Sequence, residues 1–214
     1  MAAPTPTTEL DAVNEMLTSI GVTPVNTLNV SGLTDAAIAL DTLRSTSKEV
    51  QSHGWWFNKD VAQQMVPAGG FITVPSTILS VRPSLGTYNQ SAETTRFVLR
   101  DNKLWDTDLK ANVNTTVYAD VVKELEFENL PETARRAIYV RAARIFQTKV
   151  LGDEQLGVFT EAHEQEAWKA LEADEGMSAP ESTLFQRRVQ ATASALRPNP
   201  VSSNQMQGRQ QGGR

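Results

Sequence analysis

The chain has 214 residues and a 40% apolar share, enough for one domain of good size or for a domain with an extra lobe and a tail. It contains no cysteine, which excludes a disulfide framework, a thiolate zinc site and a cysteine nucleophile. The net charge is −5, but residues 178–214 carry +4 and residues 1–177 therefore carry −9, so the acidic body disfavours non-specific DNA binding.

The first residues, MAAPTPTTEL, lack the basic and apolar stretches of a secretion signal. No apolar run approaches the ~18 residues that a membrane span needs. We therefore expect a protein made in the cytoplasm, without a membrane partner.

Two helices are predicted near the N-terminus. Thr8 and Asp11 resemble a capping box, and the helix that follows ends at Gly21 with one apolar face: Leu10, Val13, Leu17 and Ile20. The second helix begins at the N-cap residue Thr34 and ends at Gly54. Leu33 and Ile38 form a hydrophobic staple at its start, and its apolar and small stripe is Ala36, Leu40, Leu43, Ser47 and Val50.

The middle of the chain is rich in β-branched residues and turn formers. Short apolar runs occur at residues 71–74 and 78–81, and residues 97–100 and 104–106 flank a polar turn at residues 101–103. Residues 115–127 alternate in part and predict a last long strand. Because no helix separates these strands, the sheet should be antiparallel.

Two further helices follow, and their charges are opposite. Leu130-Pro131-Glu132 is a helix entry, and the third helix has the apolar face Ala134, Ile138, Ala142, Ile145 and Phe146. After a turn at Gly152 and Asp153, the fourth helix has the face Leu156, Phe159, His163, Ala167 and Leu171, and it ends near Gly176.

The third helix is basic and the fourth is acidic, so antiparallel packing would place opposite charges face to face. Two interpretations stay open. The pairs form within one chain, which the sequence slightly favours, or the basic helix of one subunit meets the acidic helix of the next. Each exposed pair contributes only ~0–1 kcal/mol, so the pairs set register more than stability.

No catalytic, cofactor or metal constellation is evident. His163 fits a core or interface role, and His53 suits a helix C-terminus. Asp101, Asp106 and Asp108 lack the glycine and glutamate of a calcium loop. A carboxylate pair for glycoside hydrolysis stays open, because Glu124, Glu126 and Glu128 alternate along the predicted strand and four tryptophans could stack on sugars: Trp55, Trp56, Trp105 and Trp168.

Two segments resemble a known family. Residues 9–28, ELDAVNEMLTSIGVTPVNTL, are similar to the opening helix and turn of the tail tubular protein A family of short-tailed bacteriophages. Residues 48–58, KEVQSHGWWFN, resemble the exit of that family's second helix. The later order also fits, with a β-rich middle, a proline-led helix at residues 130–146 and an acidic helix.

The resemblance implies a structural tail adaptor in the virion tail, not an enzyme. Members of the family form a dodecameric ring between the portal and the tail nozzle. The helical bundle faces the portal, the β-region faces the nozzle, and tail fibres attach near the lower junction. The genome passes through the lumen, where an acidic surface would let DNA slide.

We predict an α+β fold in which a discontinuous four-helix bundle, residues 1–54 plus 130–177, carries an inserted antiparallel β-lobe, residues 55–129. A flexible, partly disordered C-terminal arm covers residues 178–214. Subunit or portal contacts are predicted at Arg135, Arg136, Arg141, Arg144, Glu161, Glu164, Glu172, Arg187 and Arg188. Nozzle contacts are predicted in the β-lobe at Asp101, Asn102, Lys103 and Trp105.

Two alternative functions remain. An envelope-polysaccharide hydrolase would use the tryptophans and carboxylates of the β-lobe. A DNA-end or packaging accessory protein would use the basic tail, and its DNA affinity would vanish on removal of residues 178–214.

Overall fold

The computed structural model describes residues 6–29, 34–84, 96–152 and 159–178, which form four α-helices and two small antiparallel sheets. This confirms the α+β class. All described residues fall within one compact unit. The predictions for Leu33, for Asp153 and Leu156, and for the C-terminal arm with Arg187 and Arg188 lie outside the described residues.

The four helices share one hydrophobic cluster. Their bounds are α1 Glu9–Ser19, α2 Thr34–Gln51, α3 Glu132–Leu151 and α4 Glu161–Ser178. Helix α3 packs against each of the other three. The helical layer is therefore assembled from both ends of the described chain, while a strict four-helix bundle stays a prediction.

The capping box of α1 is confirmed. The backbone N–H of Asp11 donates to Thr8 Oγ1 at 3.1 Å, and the backbone N–H of Thr8 donates to the Asp11 carboxylate at 3.0 Å. The side-chain hydrogen bond from Thr8 is the main reason why the pKa of Asp11 lies below its ordinary value. Gly21, at φ 79°, follows the end of the helix as predicted.

The apolar stripes of α2 and α3 are also confirmed. The five predicted stripe residues of α2 are buried, and so are four of the five predicted for α3, with Ile145 half-buried. Alanine is frequent on α3, and its small side chain lets neighbouring helices approach closely. The buried alanines are Ala134, Ala137, Ala142 and Ala143.

In the described part of the chain, six strands form two sheets, which have the orders β1-β6-β2 and β3-β4-β5. The strands are β1 Lys59–Met65, β2 Ile78–Pro83, β3 Phe97–Arg100, β4 Lys103–Asp106, β5 Ala111–Asn112 and β6 Val117–Lys123. All pairings are antiparallel, as predicted. Residues of both sheets and of the segment at 71–74 form a second hydrophobic cluster.

The predicted strand over residues 115–127 is too long. Strand β6 ends at Lys123, and Phe127–Asn129 form a 3₁₀ turn. The chain leaves the sheet after Lys123 because the buried side chain of Gln51 binds both the backbone N–H and the backbone carbonyl of Leu125. Phe127 then packs into the helical cluster.

Two smaller β predictions also change. Residues 71–74 form no regular strand, and only isolated bridges join Phe71 to Ala68 and Thr73 to Lys103. The hairpin turn contains two residues, Asp101 and Asn102, because Lys103 already pairs with Arg100. Both turn residues have positive φ, 49° and 57°, the geometry that suits the twist of a tight hairpin.

The predicted lobe boundary at residue 55 cuts through the helical cluster. Trp55 is 1% exposed and belongs to that cluster, and Trp56 and Phe57 pack against it. The indole Nε1 of Trp55 donates to the carbonyl of Val50 at 2.8 Å, which anchors the aromatic exit of α2. The division into separate lobes stays a prediction.

Candidate functional site

The interface between α3 and α4 carries the opposite charges that the sequence predicts. Arg144 Nε donates to Glu164 Oε2 at 2.6 Å, and Arg141 Nη1 donates to Glu164 Oε1 at 3.2 Å. A third pair joins Arg136 to Glu166 at 3.4 Å. The interpretation of complementarity within one chain is therefore confirmed for these residues.

A surface groove of about 360 Å³ lies along this interface. Arg141 lies 6.0 Å from the ring centroid of Trp168, whose indole Nε1 donates to Glu172 at 3.0 Å. The structure thus gathers most of the predicted subunit or portal contacts in one place. The groove is lined by Arg141, Arg144, Glu161, Glu164, Gln165, Trp168, Lys169 and Glu172.

Arg135 has a role within the protomer that the sequence does not predict. It is 8% exposed and donates to the backbone carbonyls of Leu130 and Thr7, each at 2.8 Å, and to that of Glu128. Its guanidinium therefore joins the chain before α1 to the turn before α3. These bonds give Arg135 a role within the protomer, and its contact with another subunit or with the portal stays a prediction.

The four residues predicted to contact the nozzle lie together in the β3–β4 hairpin. Asp101 and Asn102 form the exposed turn. Lys103 Nζ lies 4.2 Å from the ring centroid of Phe71, and Arg100 lies 5.2 Å from that of Trp105. Two cation–π contacts therefore order the charged side chains of this hairpin.

An acidic groove that the sequence did not predict lies beside α1 and α2. Arg44 binds Glu9 in a bidentate ion pair at 2.9 and 3.1 Å, and this hydrogen bonding raises the pKa of Arg44. The alternating glutamates are a sequence signal for this groove, but their spacing predicts a strand, and β6 ends before them at Lys123. The groove has a volume of about 340 Å³ and is lined by Glu9, Leu43, Arg44, Ser47, Glu124, Leu125, Glu126, Phe127 and Glu128.

These glutamates do not alternate on a strand, which removes that basis of the hydrolase hypothesis. Glu124 and Glu126 follow β6, and Glu128 lies in the 3₁₀ turn. Trp55 is buried and cannot stack on a sugar.

The two histidines lie on different elements and have different hydrogen-bond and ring neighbours. His163 is exposed, which contradicts a core position and leaves the alternative interface role a prediction. Its Nδ1 lies 3.3 Å from the backbone nitrogen of Thr160 at the start of α4. His53 is also exposed, and its ring lies 4.8 Å from that of Trp55. Within the described ranges, no group of three or more histidine and acidic side chains could hold a metal ion.

No helix in the part of the chain that the structure describes is long and apolar enough to cross a membrane. A family model described as tail tubular protein matches residues 10–180. This range includes all six strands and all of the four helices except the first residue of α1. No curated protein matches the chain in sequence. The chain therefore belongs to the tail tubular protein family, whose members are structural components of phage tails.

Proposed function

We propose that this protein is the tail adaptor, a ring-forming subunit that joins the portal to the tail nozzle and lets DNA pass. The observation that carries the proposal is the family match over residues 10–180. A ring of twelve copies, attachment of tail fibres near the nozzle, and synthesis in the host cytoplasm belong to the same proposal.

Charge supports the passage of DNA. In the described chain, the helical part, residues 6–29, 34–54, 124–152 and 159–178, holds 16 acidic and 8 basic residues. The β-part, residues 55–84 and 96–123, holds 5 acidic and 7 basic residues. A lumen formed by the acidic helical part would repel the phosphate backbone, so that DNA slides without binding.

We infer the assembly surface from the exposure of the charged side chains on α3 and α4. The α3–α4 interface uses Glu164 internally, where its side chain is 13% exposed, but Arg136 keeps a side chain that is 54% exposed. Glu161 and Glu172 are also exposed. We propose that Arg136, Glu161 and Glu172 contact a neighbouring subunit or the portal. The exposed parts of the Arg141 and Arg144 side chains belong to the same proposed surface.

The decisive experiment combines the purified full chain with the portal protein of the same phage. Electron microscopy and native mass measurement should show a closed ring that joins the portal coaxially. A protein that stays monomeric and never joins the portal ring, at any ratio or ionic strength, would contradict the proposal.

A matched variant pair tests the proposed contacts. Arg136→Glu reverses an exposed charge on α3 and should weaken ring formation or portal binding. Lys59→Glu makes the same change on the exposed edge of β1 and should leave both unchanged. Equal behaviour of the two variants would remove Arg136 from the contact surface.

A further inference from the structure

Helix α4 is attached to the rest of the protein by a small apolar face. Two of its 18 residues, Ala167 and Leu171, are buried, whereas α3 buries nine of its 20 residues. It packs chiefly against α3, while α1, α2 and α3 all pack against one another. Because burial of apolar area is the main stabilising contribution in a helical layer, α4 is the helix that we expect to separate from the others most easily.

Charged and polar contacts set the position of α4 along α3. Near the start of α4, the Glu164 carboxylate accepts from Arg141 at 3.2 Å and from Arg144 at 2.6 Å. Near its end, the Thr133 hydroxyl donates to the Asp174 carboxylate at 2.7 Å. Such contacts contribute more to the choice of partner and register than to stability, so they define which surface α4 recognises.

The charge of α4 makes it dependent on a basic partner. It holds six acidic residues and one basic residue, whereas α3 holds five basic residues and one acidic residue. Its last turn contains no basic residue, so Asp174 and Glu175 oppose the helix dipole there. The α3 helix of a second copy carries the same basic face, and it is therefore as suitable a partner for α4 as the α3 helix of the same chain.

The connection between the two helices is long enough for an exchange of α4 between adjacent copies. Nine residues, 152–160, separate the end of α3 from the start of α4. A chain of this length can span up to roughly 30 Å, which exceeds two helix diameters of about 10–12 Å each. Exchange retains every contact between α3 and α4. A copy that gives α4 to the next copy and receives one from the previous copy forms a head-to-tail interface, the type that closes into rings.

We propose that, in the assembled ring, α4 of each copy docks on α3 of the next copy, with Glu164 between the Arg141 and Arg144 side chains of that neighbour. This inference rests on the proposed adaptor function and adds the contact that joins adjacent copies. The ion pairs within one chain are then the contacts of the protein before assembly, and the same pairs form between chains in the ring.

Charge reversal in the full chain distinguishes exchange from packing within one chain. Arg144→Glu and Glu164→Arg each place like charges at the 2.6 Å ion pair, so each variant alone should form at least about fivefold fewer rings with the portal protein. An equal mixture of the two variants should restore the rings, because alternating copies then place opposite charges at every exchanged interface. The double variant Arg144→Glu/Glu164→Arg is the control, since it restores opposite charges in either arrangement. A mixture that assembles as poorly as its components, while the double variant assembles, would contradict exchange.

Cross-linking identifies the partner of α4 directly, because the chain contains no cysteine. Thr133→Cys/Asp174→Cys places two thiols where hydrogen-bonded side chains meet, within reach of a disulfide or a short bismaleimide. Rings cross-linked at this pair should give covalent multimers on a denaturing gel. The matched control is Thr7→Cys/Glu132→Cys, where Thr7 Oγ1 lies 2.5 Å from Glu132 Oε1, and it should link within single chains.

The outcomes separate this inference from the proposed function. Rings in which Thr133→Cys/Asp174→Cys links single chains alone would overturn the inference and leave the adaptor function intact, whatever the charge variants do. A chain whose α3–α4 disulfide is formed before the portal is added should assemble only after reduction, and unhindered assembly of the oxidised chain would also overturn the inference. An unmodified chain that forms no ring with the portal would instead overturn the adaptor function first.

Discussion

The side-chain amide of Gln51 binds both backbone polar groups of Leu125. Leu125 N donates to Gln51 Oε1 at 2.7 Å, and Gln51 Nε2 donates to the carbonyl of Leu125 at 3.0 Å. Gln51 is 0% exposed, and its Nε2 also donates to Ser47 Oγ at 3.0 Å. The last residue of α2 thus replaces a neighbouring strand at the point where the chain leaves β6 and enters the helical layer.

Replacement of Gln51 by leucine should therefore be costly. It leaves the N–H and the carbonyl of Leu125 without these partners, and we expect a loss of about 2–4 kcal/mol in the free energy of unfolding. Urea unfolding followed by circular dichroism measures the loss. Gln64→Leu, at an exposed position of β1, is the control and should change stability by less than about 0.5 kcal/mol. Equal stabilities of the two variants would contradict the role of Gln51.

Glu164 is the residue that ties α4 to the basic side of α3. Glu164→Gln should lower stability by about 1–3 kcal/mol, because Arg141 and Arg144 lose a charged acceptor in a partly buried interface. Glu161→Gln removes an exposed charge from the same helix and should cost much less. Thermal unfolding at low and high salt checks both variants. A Glu164→Gln chain as stable as the Glu161→Gln chain would show that Glu164 does not hold α4 against α3.

Gly54 permits the close approach of the α2 exit to β6. It has φ +81°, and a Cβ atom there would lie 2.9 Å from Cγ2 of Val122, a side chain with little rotamer freedom. Gly54→Ala should thus cost about 2 kcal/mol or more, from strain and from the clash together.

Gly21→Ala separates the two contributions to the Gly54 effect. Gly21 has nearly the same φ, +79°, but a Cβ there meets nothing within 4 Å, so only the backbone strain remains, about 1 kcal/mol. Unfolding free energies of both variants give the difference. If Gly21→Ala costs as much as Gly54→Ala, the contact with Val122 has no energetic weight.

The capping box of α1 predicts a pH dependence. The folded pKa of Asp11 lies below its ordinary value of 3.8, so its contribution to stability is full above that value and is lost as the pH falls through the lower folded pKa. Asp11→Ala should lower stability at neutral pH by about 0.3–1 kcal/mol. The gap between variant and unmodified chain should close in acid, and a gap that is constant down to pH values far below 3.8 would contradict the assignment.

The sequence by itself determined the local elements whose signals lie within a few neighbouring residues. The cap at Thr8, the glycine after α1, the apolar stripes of α2 and α3, and the hairpin at residues 97–106 all follow from short-range spacing and turn chemistry. Opposite charge on α3 and α4 was also readable, because charge is a property of composition. Membership of the tail tubular protein family was recognisable from two N-terminal segments.

Only the tertiary structure decided which residues, distant in sequence, supply the hydrogen-bond partners where those elements end. A strand that looks continuous ends at Lys123 because Gln51, distant in sequence, takes over the hydrogen bonds of Leu125. Arg135 looks like a surface cation, but three backbone carbonyls enclose it. Hydrogen bonds and burial between distant residues leave no periodic trace in the sequence, which is why the sequence did not predict the acidic groove beside α1 and α2.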